Sequence, residues 1–197
     1  MREAEEFKEV GFVIGRSLLN QNRIADISVA YDATFAVAGE EVVKGSTSLR
    51  LSELAHRDRV FADLVADAKL LALCSAILRN PPRLRFLNGR TVEPFAAPQK
   101  LHVDLKAVSG ETAFLGFIVM LDDFRADNGA TRFVPGSHHW PAVPGDVMID
   151  PSGDHPAQTI AKGKAGDIII YDSAVWHGHS ANRTARSRRS IQGGFES

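Results

Sequence analysis

Hydrophobic positions along the chain change their spacing near residue 82. From Ser52 to Leu78 the apolar residues Leu54, Val60, Leu64, Ala68, Leu71, Cys74 and Leu78 recur mostly at three- and four-residue steps. That spacing predicts a helix presenting one stripe to a core, and Asn80-Pro81-Pro82 stops it. Residues 3–19 begin with an acidic first turn that favours a helix start, and Gly11-Phe12-Val13-Ile14-Gly15 then reads as a short edge strand. After Pro82 short runs rich in Val, Ile, Phe and Thr are separated by Gly, Pro, Asn and Asp clusters. Strands are predicted at Arg83 to Asn88, Lys100 to Leu105, Ala113 to Leu121, Thr131 to Val134, Gln158 to Ile160, Asp167 to Tyr171, Ala174 to His179 and Ser187 to Phe195. This pattern predicts a mainly β protein with flanking helices, a jelly roll, in which residues 1–82 form a mainly helical flank and 83–197 the β core of one domain. The irregular stretches Gly89 to Gln99 and Trp140 to Pro156 are long enough to read as functional rims or lids.

Composition narrows the function classes. A length of 197 residues suits one domain, and 44% hydrophobic with 24% charged residues excludes intrinsic disorder. With 23 Lys+Arg against 24 Asp+Glu, the net charge of -1 gives no global attraction to nucleic acid or anionic lipid. The longest apolar run, Ala113 to Leu121, is too short to span a bilayer, and the acidic start is unlike a secretory n-region. Cys74 alone cannot form an intramolecular disulfide and reads as a small core side chain. These features predict a soluble, cytoplasmic protein with neither a membrane nor a nucleic-acid partner.

Three clusters could carry chemistry. In Lys100-Leu101-His102-Val103-Asp104-Leu105, the two-residue spacing on a strand puts His102 and Asp104 on one face, able to bind one metal side by side, with Leu101, Val103 and Leu105 facing inward. A third ligand from Trp176-His177-Gly178-His179, where both histidines share a face, would complete a 2-His-1-carboxylate set with open positions suited to Fe(II). The run Arg183 to Ser190 is basic, and an arginine buried near a metal suits a dicarboxylate co-substrate, because guanidinium pairs bidentately and stays charged when desolvated. No aromatic residues interleave these arginines, which disfavours a nucleic-acid patch.

Taken in order, Gly11 to Ile14, His102-Val103-Asp104, Asn128 through His138, and Gly166 through His177-Gly178 to Asn182 and Arg188-Arg189 resemble the phytanoyl-CoA dioxygenase family of Fe(II)- and 2-oxoglutarate-dependent oxygenases. The resemblance covers roughly residues 10–195 and implies a double-stranded β-helix of cupin-like form. It implies that His102, Asp104 and His177 are the iron ligands and that Arg188 binds the far carboxylate of 2-oxoglutarate. The family pattern His-Gly-x-x-x-Asn with an arginine eleven residues after the histidine fits His177, Asn182 and Arg188, and does not fit a start at His179. His179 stands where relatives often carry a serine near the co-substrate. Ser190, two residues after Arg188, is a further co-substrate candidate. The implied activity is hydroxylation of a small molecule with O2, releasing succinate and CO2. The presence of Asp104 disfavours halogenation. A cupin-like metal-binding module, or a metal-dependent isomerase without 2-oxoglutarate, is the alternative, and it gives no reason for Arg188.

The remaining conspicuous residues have plainer readings. Asp127-Asn128-Gly129 and Pro135-Gly136-Ser137 are turn chemistry. His138, His139, His56 and His155 read as surface histidines, and Trp176, alternating away from His177, as core.

Overall fold

The computed structural model describes residues 2–105 and 114–197; Ala113, the first residue of one predicted strand, and Met1 lie outside them. Ten strands follow in chain order: β1 (Phe12–Gly15), β2 (Val43–Lys44), β3 (Ser48–Leu51), β4 (Arg83–Val92), β5 (Phe114–Met120), β6 (Thr131–Phe133), β7 (Thr159–Ile160), β8 (Ile168–Asp172), β9 (His177–His179) and β10 (Arg188–Glu196). They build a seven-stranded sheet, β1-β8-β5-β10-β4-β3-β2, and a three-stranded sheet, β7-β6-β9, with antiparallel pairing throughout. Two antiparallel sheets with the site between them are the predicted jelly roll, and β1 is an edge strand as expected.

At β5 and β8 the large sheet is buried on both faces, which explains their unbroken apolar runs. On β5 and β8, Leu115, Phe117, Val119, Ile168 and Ile170 pack under the helices. Their alternates Ile118, Met120, Ile169 and Tyr171 face the small sheet and meet Phe124, Phe133 and Val175. This period-two alternation aims every second side chain of β5, β8 and β10 at the inter-sheet space.

The helical flank is α1 (Arg2–Val10), α2 (Gln21–Val37), α3 (Arg59–Val65) and α4 (Ala68–Leu78). The single helix predicted from Ser52 to Leu78 is instead a 3-10 turn followed by α3 and α4. Asp58 accepts from Val60 N at 2.9 Å, and Asp67 accepts from Lys69 N at 2.9 Å, so each aspartate caps a new helix. The restart shifts the phase: Phe61 and Leu70 are buried where Val60 and Ala68 were expected, while Leu64, Cys74 and Leu78 keep their places. Burial pushes the Cys74 thiol up to about 12, which makes it the inert core side chain expected.

Two further differences bear on the site. Strands β2 and β3, which the sequence pattern did not mark, extend the large sheet from within the mainly helical flank. Among the described residues the predicted strand Lys100 to Leu105 forms no ladder: His102 makes an isolated bridge to His177, and Leu105 is exposed rather than inward. Strand β4 runs on to Val92, which shortens the predicted loop after it. The longer loop carries a one-turn helix, α5 (Pro144–Val147). No helix among the described residues is long and apolar enough to cross a membrane.

Candidate metal and co-substrate site

His177 comes from β9 and is held against the 100–105 segment by reciprocal backbone bonds, His102 N to His177 O and His177 N to His102 O, both 3.0 Å. The bridge brings residues 75 positions apart into contact, with ring centroids 4.4 Å apart. Asp104 is anchored next to them by its N–H donating to Ser173 O at 2.9 Å. The ligand atoms of His102, Asp104 and His177 all lie within 4.8 Å of one another, the one such group of three among the described residues.

The histidine tautomers follow from their partners. His102 Nδ1 lies 3.0 Å from Lys100 O, and His177 Nδ1 lies 2.9 Å from Val175 O. A carbonyl only accepts, so both Nδ1 atoms carry a proton and both Nε2 atoms are the ones turned toward Asp104. Those Nε2 atoms face the two oxygens of Asp104 at 3.6 Å each, too far for a hydrogen bond. Burial, reinforced by His177, pulls His102 down to about 4, so it is neutral at pH 7. Two imidazoles fixed through Nδ1, converging with a carboxylate, are the donor set a divalent metal requires, and they fit one.

Asp104 also accepts a hydrogen bond from the Tyr171 hydroxyl, at 2.7 Å. Burial and the nearby carboxylate push the Tyr171 phenol well above its usual range, so it stays a donor.

Arg188 enters from β10, is 1% exposed, and lines the same cavity as the triad, a space of about 390 Å³. Its Nη1 donates to Ser190 Oγ at 2.9 Å, its Nη2 to Gly129 O at 2.6 Å, and its Cζ sits 4.2 Å over the Phe124 ring. Its buried Nε has no hydrogen-bond partner among the described residues. Burial, with the charge of Arg90 second, pulls the guanidinium down to about 9, the condition of a cation suited to an anionic partner. Ser190 is fully buried, and its hydroxyl donates to Arg90 O at 3.3 Å while accepting from Arg188, so it stands behind the arginine. The turn at Gly129, with φ of 76°, places the carbonyl that accepts from Arg188 and so belongs to the site's support. Arg189 points to the other face, paired with Asp122 and Asp32 at 2.7 Å each, and Arg186 is exposed.

His179 lines the cavity without joining the triad. Its Nδ1 donates to Ser180 O at 2.9 Å, which leaves Nε2 to accept from Thr47 Oγ1 at 2.7 Å and ties β9 to the β2–β3 turn. Burial holds it down to about 3, a neutral strut. Trp176 is buried, as expected, while His138 and His139 both reach Lys8 O, at 3.1 and 2.9 Å.

The cavity also holds residues that spacing did not reveal: Arg50, Arg90, Gln99, Thr131 and Tyr171. Arg50 and Arg90 are directly opposed across β3 and β4, a repulsive arrangement for like charges, and neither has a carboxylate partner among the described residues. Their facing depends on strand register, for which a single sequence gives no signal. Arg132, fully buried, donates to the carbonyls of Gln99 at 2.8 Å, Gly153 at 2.8 Å and Ser152 at 3.0 Å, and so pins the 150–158 loop to the cavity rim.

Comparison with known proteins agrees with this geometry. The chain is 29% identical over 198 residues to Dioxygenase aneA of Aspergillus aculeatus, covering 90% of this chain and 65% of that one. It is 34% identical over 160 residues to Dioxygenase FUM3 of Gibberella moniliformis, covering 73% and 51%. The chain thus spans between half and two thirds of the length of these curated relatives. Among solved structures, the epimerase SnoN in complex with Fe3+, alpha ketoglutarate and nogalamycin RO superposes with a TM-score of 0.86 at 21% identity, covering 99% of this chain and 82% of that one. HygX from Streptomyces hygroscopicus, with nickel and 2-oxoglutarate bound, gives 0.81 at 17% identity, covering 99% and 86%. At these identities the likeness establishes the jelly-roll fold. The profile described as Phytanoyl-CoA dioxygenase (PhyH) matches residues 7–190, nearly the whole chain, and the chain belongs to that family.

Proposed function

We propose that the chain is a non-haem Fe(II)- and 2-oxoglutarate-dependent dioxygenase that hydroxylates a small molecule. One observation carries the reading: the triad and the buried guanidinium of Arg188 open into one cavity. His102 Nε2, His177 Nε2 and a carboxylate oxygen of Asp104 would hold the iron. When bound, that iron supplies the chemistry by which O2 and 2-oxoglutarate yield succinate, CO2 and a hydroxylated substrate.

The chain's own residues bind, orient and exclude water. Arg188 receives the far carboxylate of 2-oxoglutarate, with Ser190 and Gly129 O fixing the fork and Phe124 shielding it from solvent. Arg50 and Arg90 add positive potential to a cavity whose acidic lining residue is Asp104, which favours a dianionic keto acid. Neutral His102 keeps its Nε2 lone pair for the metal, and neutral His179 adds no charge to the wall. Gln99, Ile118 and Thr131 complete the wall, and about 390 Å³ suits the co-substrate with the reacting end of a small molecule. SnoN with nogalamycin RO and HygX with hygromycin B are relatives in fold solved with small molecules, in keeping with a small-molecule substrate here.

The test is anaerobic addition of 2-oxoglutarate to the Fe(II)-loaded protein. A visible charge-transfer band of a chelated keto acid is expected. A flat difference spectrum together with no calorimetric binding of 2-oxoglutarate would refute the proposal. A succinate-release screen of small molecules then addresses the substrate.

A further inference from the structure

Tyr171 occupies a place that sequence spacing did not connect with the triad. It lies on β8, on the face that looks between the sheets, with 4% of its surface exposed. Its hydroxyl donates to Asp104 Oδ2 at 2.7 Å, and its ring lies 4.7 Å from that of His177. Across the ladder its register partner on β5 is Gly116. A Cβ at Gly116 would fall 2.1 Å from Tyr171 Cζ and 2.5 Å from its hydroxyl oxygen, so the ring reaches the carboxylate only because β5 carries no side chain there.

Asp104 needs such a partner. It sits on a bend outside any strand among the described residues, and its side chain is 31% exposed. Among the described residues, Tyr171 is the only hydrogen-bond donor to its carboxylate, the two histidine Nε2 atoms lying 3.6 Å from its oxygens. A carboxylate free to turn can offer a metal one oxygen or both.

We propose that Tyr171 is a positioning residue that claims one oxygen of Asp104 and leaves the other for the metal, with Gly116 as the gap that admits it. The inference rests on the metal-site reading above. A one-oxygen carboxylate beside two imidazoles keeps three coordination positions open, whereas a two-oxygen carboxylate takes one of the positions that the keto acid and O2 need. The phenol hydroxyl thereby sets the number of open sites.

The experiment uses the full chain, metal-free, as wild type, Tyr171→Phe and Gly116→Ala, each titrated with Co(II) by calorimetry and by visible absorption. Phenylalanine fills the same ring space, so the metal-free melting temperature should change little. Partners of metal ligands typically contribute 10–100-fold in affinity, so Tyr171→Phe should bind Co(II) about 10–100-fold more weakly, with a changed Co(II) spectrum. Gly116→Ala should reproduce that spectrum by displacing the ring. Wild-type affinity and spectrum in Tyr171→Phe, even with a lowered melting temperature, would reduce the bond to ordinary packing and overturn the inference. Failure of the wild type itself to bind Co(II) would instead overturn the metal-site reading, and this inference with it.

Discussion

Replacing Arg188 with methionine removes the guanidinium and keeps an apolar stem of similar reach, which isolates the charge from the packing. The side chain is 1% exposed and stacked 4.2 Å over Phe124, so a carboxylate bound there meets a desolvated cation. Truncating one partner of such a pair costs about 2–5 kcal/mol. At about 1.36 kcal/mol per decade, that is roughly a 30- to 5,000-fold rise in the Kd for 2-oxoglutarate. The neighbouring arginines supply the control. Arg189 is engaged by Asp122 and Asp32 on the other face, so Arg189→Met should leave the co-substrate Kd within about twofold while lowering stability by about 1–3 kcal/mol through its charged hydrogen bonds. Arg186→Met, at an exposed position, should do neither. The assay is anaerobic calorimetry of 2-oxoglutarate into Fe(II)-loaded protein at two salt concentrations, because the loss from a buried pair persists at high salt and that from a rim charge fades. A thermal-shift series gives an independent readout. Co-substrate at a hundred times the wild-type Kd adds about 2.7 kcal/mol of stability to the wild type, and at the same concentration that increment should fall to about 0.9 kcal/mol or less in Arg188→Met. Equal, salt-sensitive losses from all three variants would mean that the cluster is a diffuse basic surface, and the co-substrate assignment would fall.

Other outcomes follow from the same geometry. His177→Ala, like His102→Ala or Asp104→Ala, should abolish stoichiometric metal binding in calorimetry, whereas His179→Ala should retain it, since His179 bonds Thr47 and Ser180 and stands outside the triad; the reverse result would refute the ligand assignment. The metal-free protein should lose stability on acidification: His102 and His179 are held down to about 4 and about 3 by burial, while the unfolded chain takes up these protons near pH 6.5. Their contribution is full above pH 6.5 and falls by about 1.4 kcal/mol per pH unit per histidine as the pH drops toward 4. Urea unfolding at pH 7.5, 6.5 and 5.5 measures this, and a flat profile below 6.5 would contradict it. Arg132→Ala strips the donor from the carbonyls of Gln99, Ser152 and Gly153, and at about 1–3 kcal/mol for each buried acceptor left unpaired it should lower stability by about 3 kcal/mol or more in urea. A loss under about 1 kcal/mol would mean that water replaces the guanidinium there.

Local patterns in the sequence determined the elements and the chemically capable residues. Apolar runs mark β5 and β8, turn residues mark the Gly129 and Gly136 reversals, and two-residue spacing marks His102 with Asp104, while the resemblance to the family pattern singles out His177 over His179 and Arg188 among the arginines. What escaped depended on partners distant in the chain. Asp58 and Asp67 each formed a cap that broke the expected long helix, a choice between local hydrogen bonds that apolar periodicity does not register. Helix α2 buries only Ile24, Ile27 and Tyr31, too narrow a stripe to rise above its polar surroundings. The 100–105 segment alternates as a strand does, yet among the described residues only His102 has a bridge partner, because ladders need a second chain segment in register. Cross-strand register alone set Arg50 against Arg90 and Tyr171 against Gly116. Side-chain type and local spacing are properties of short stretches of chain, whereas the convergence of β3, β4, β8, β9 and β10 on one cavity is fixed by sheet pairing and closure, and that long-range packing decided which polar groups line the cavity and which only hold the scaffold in place.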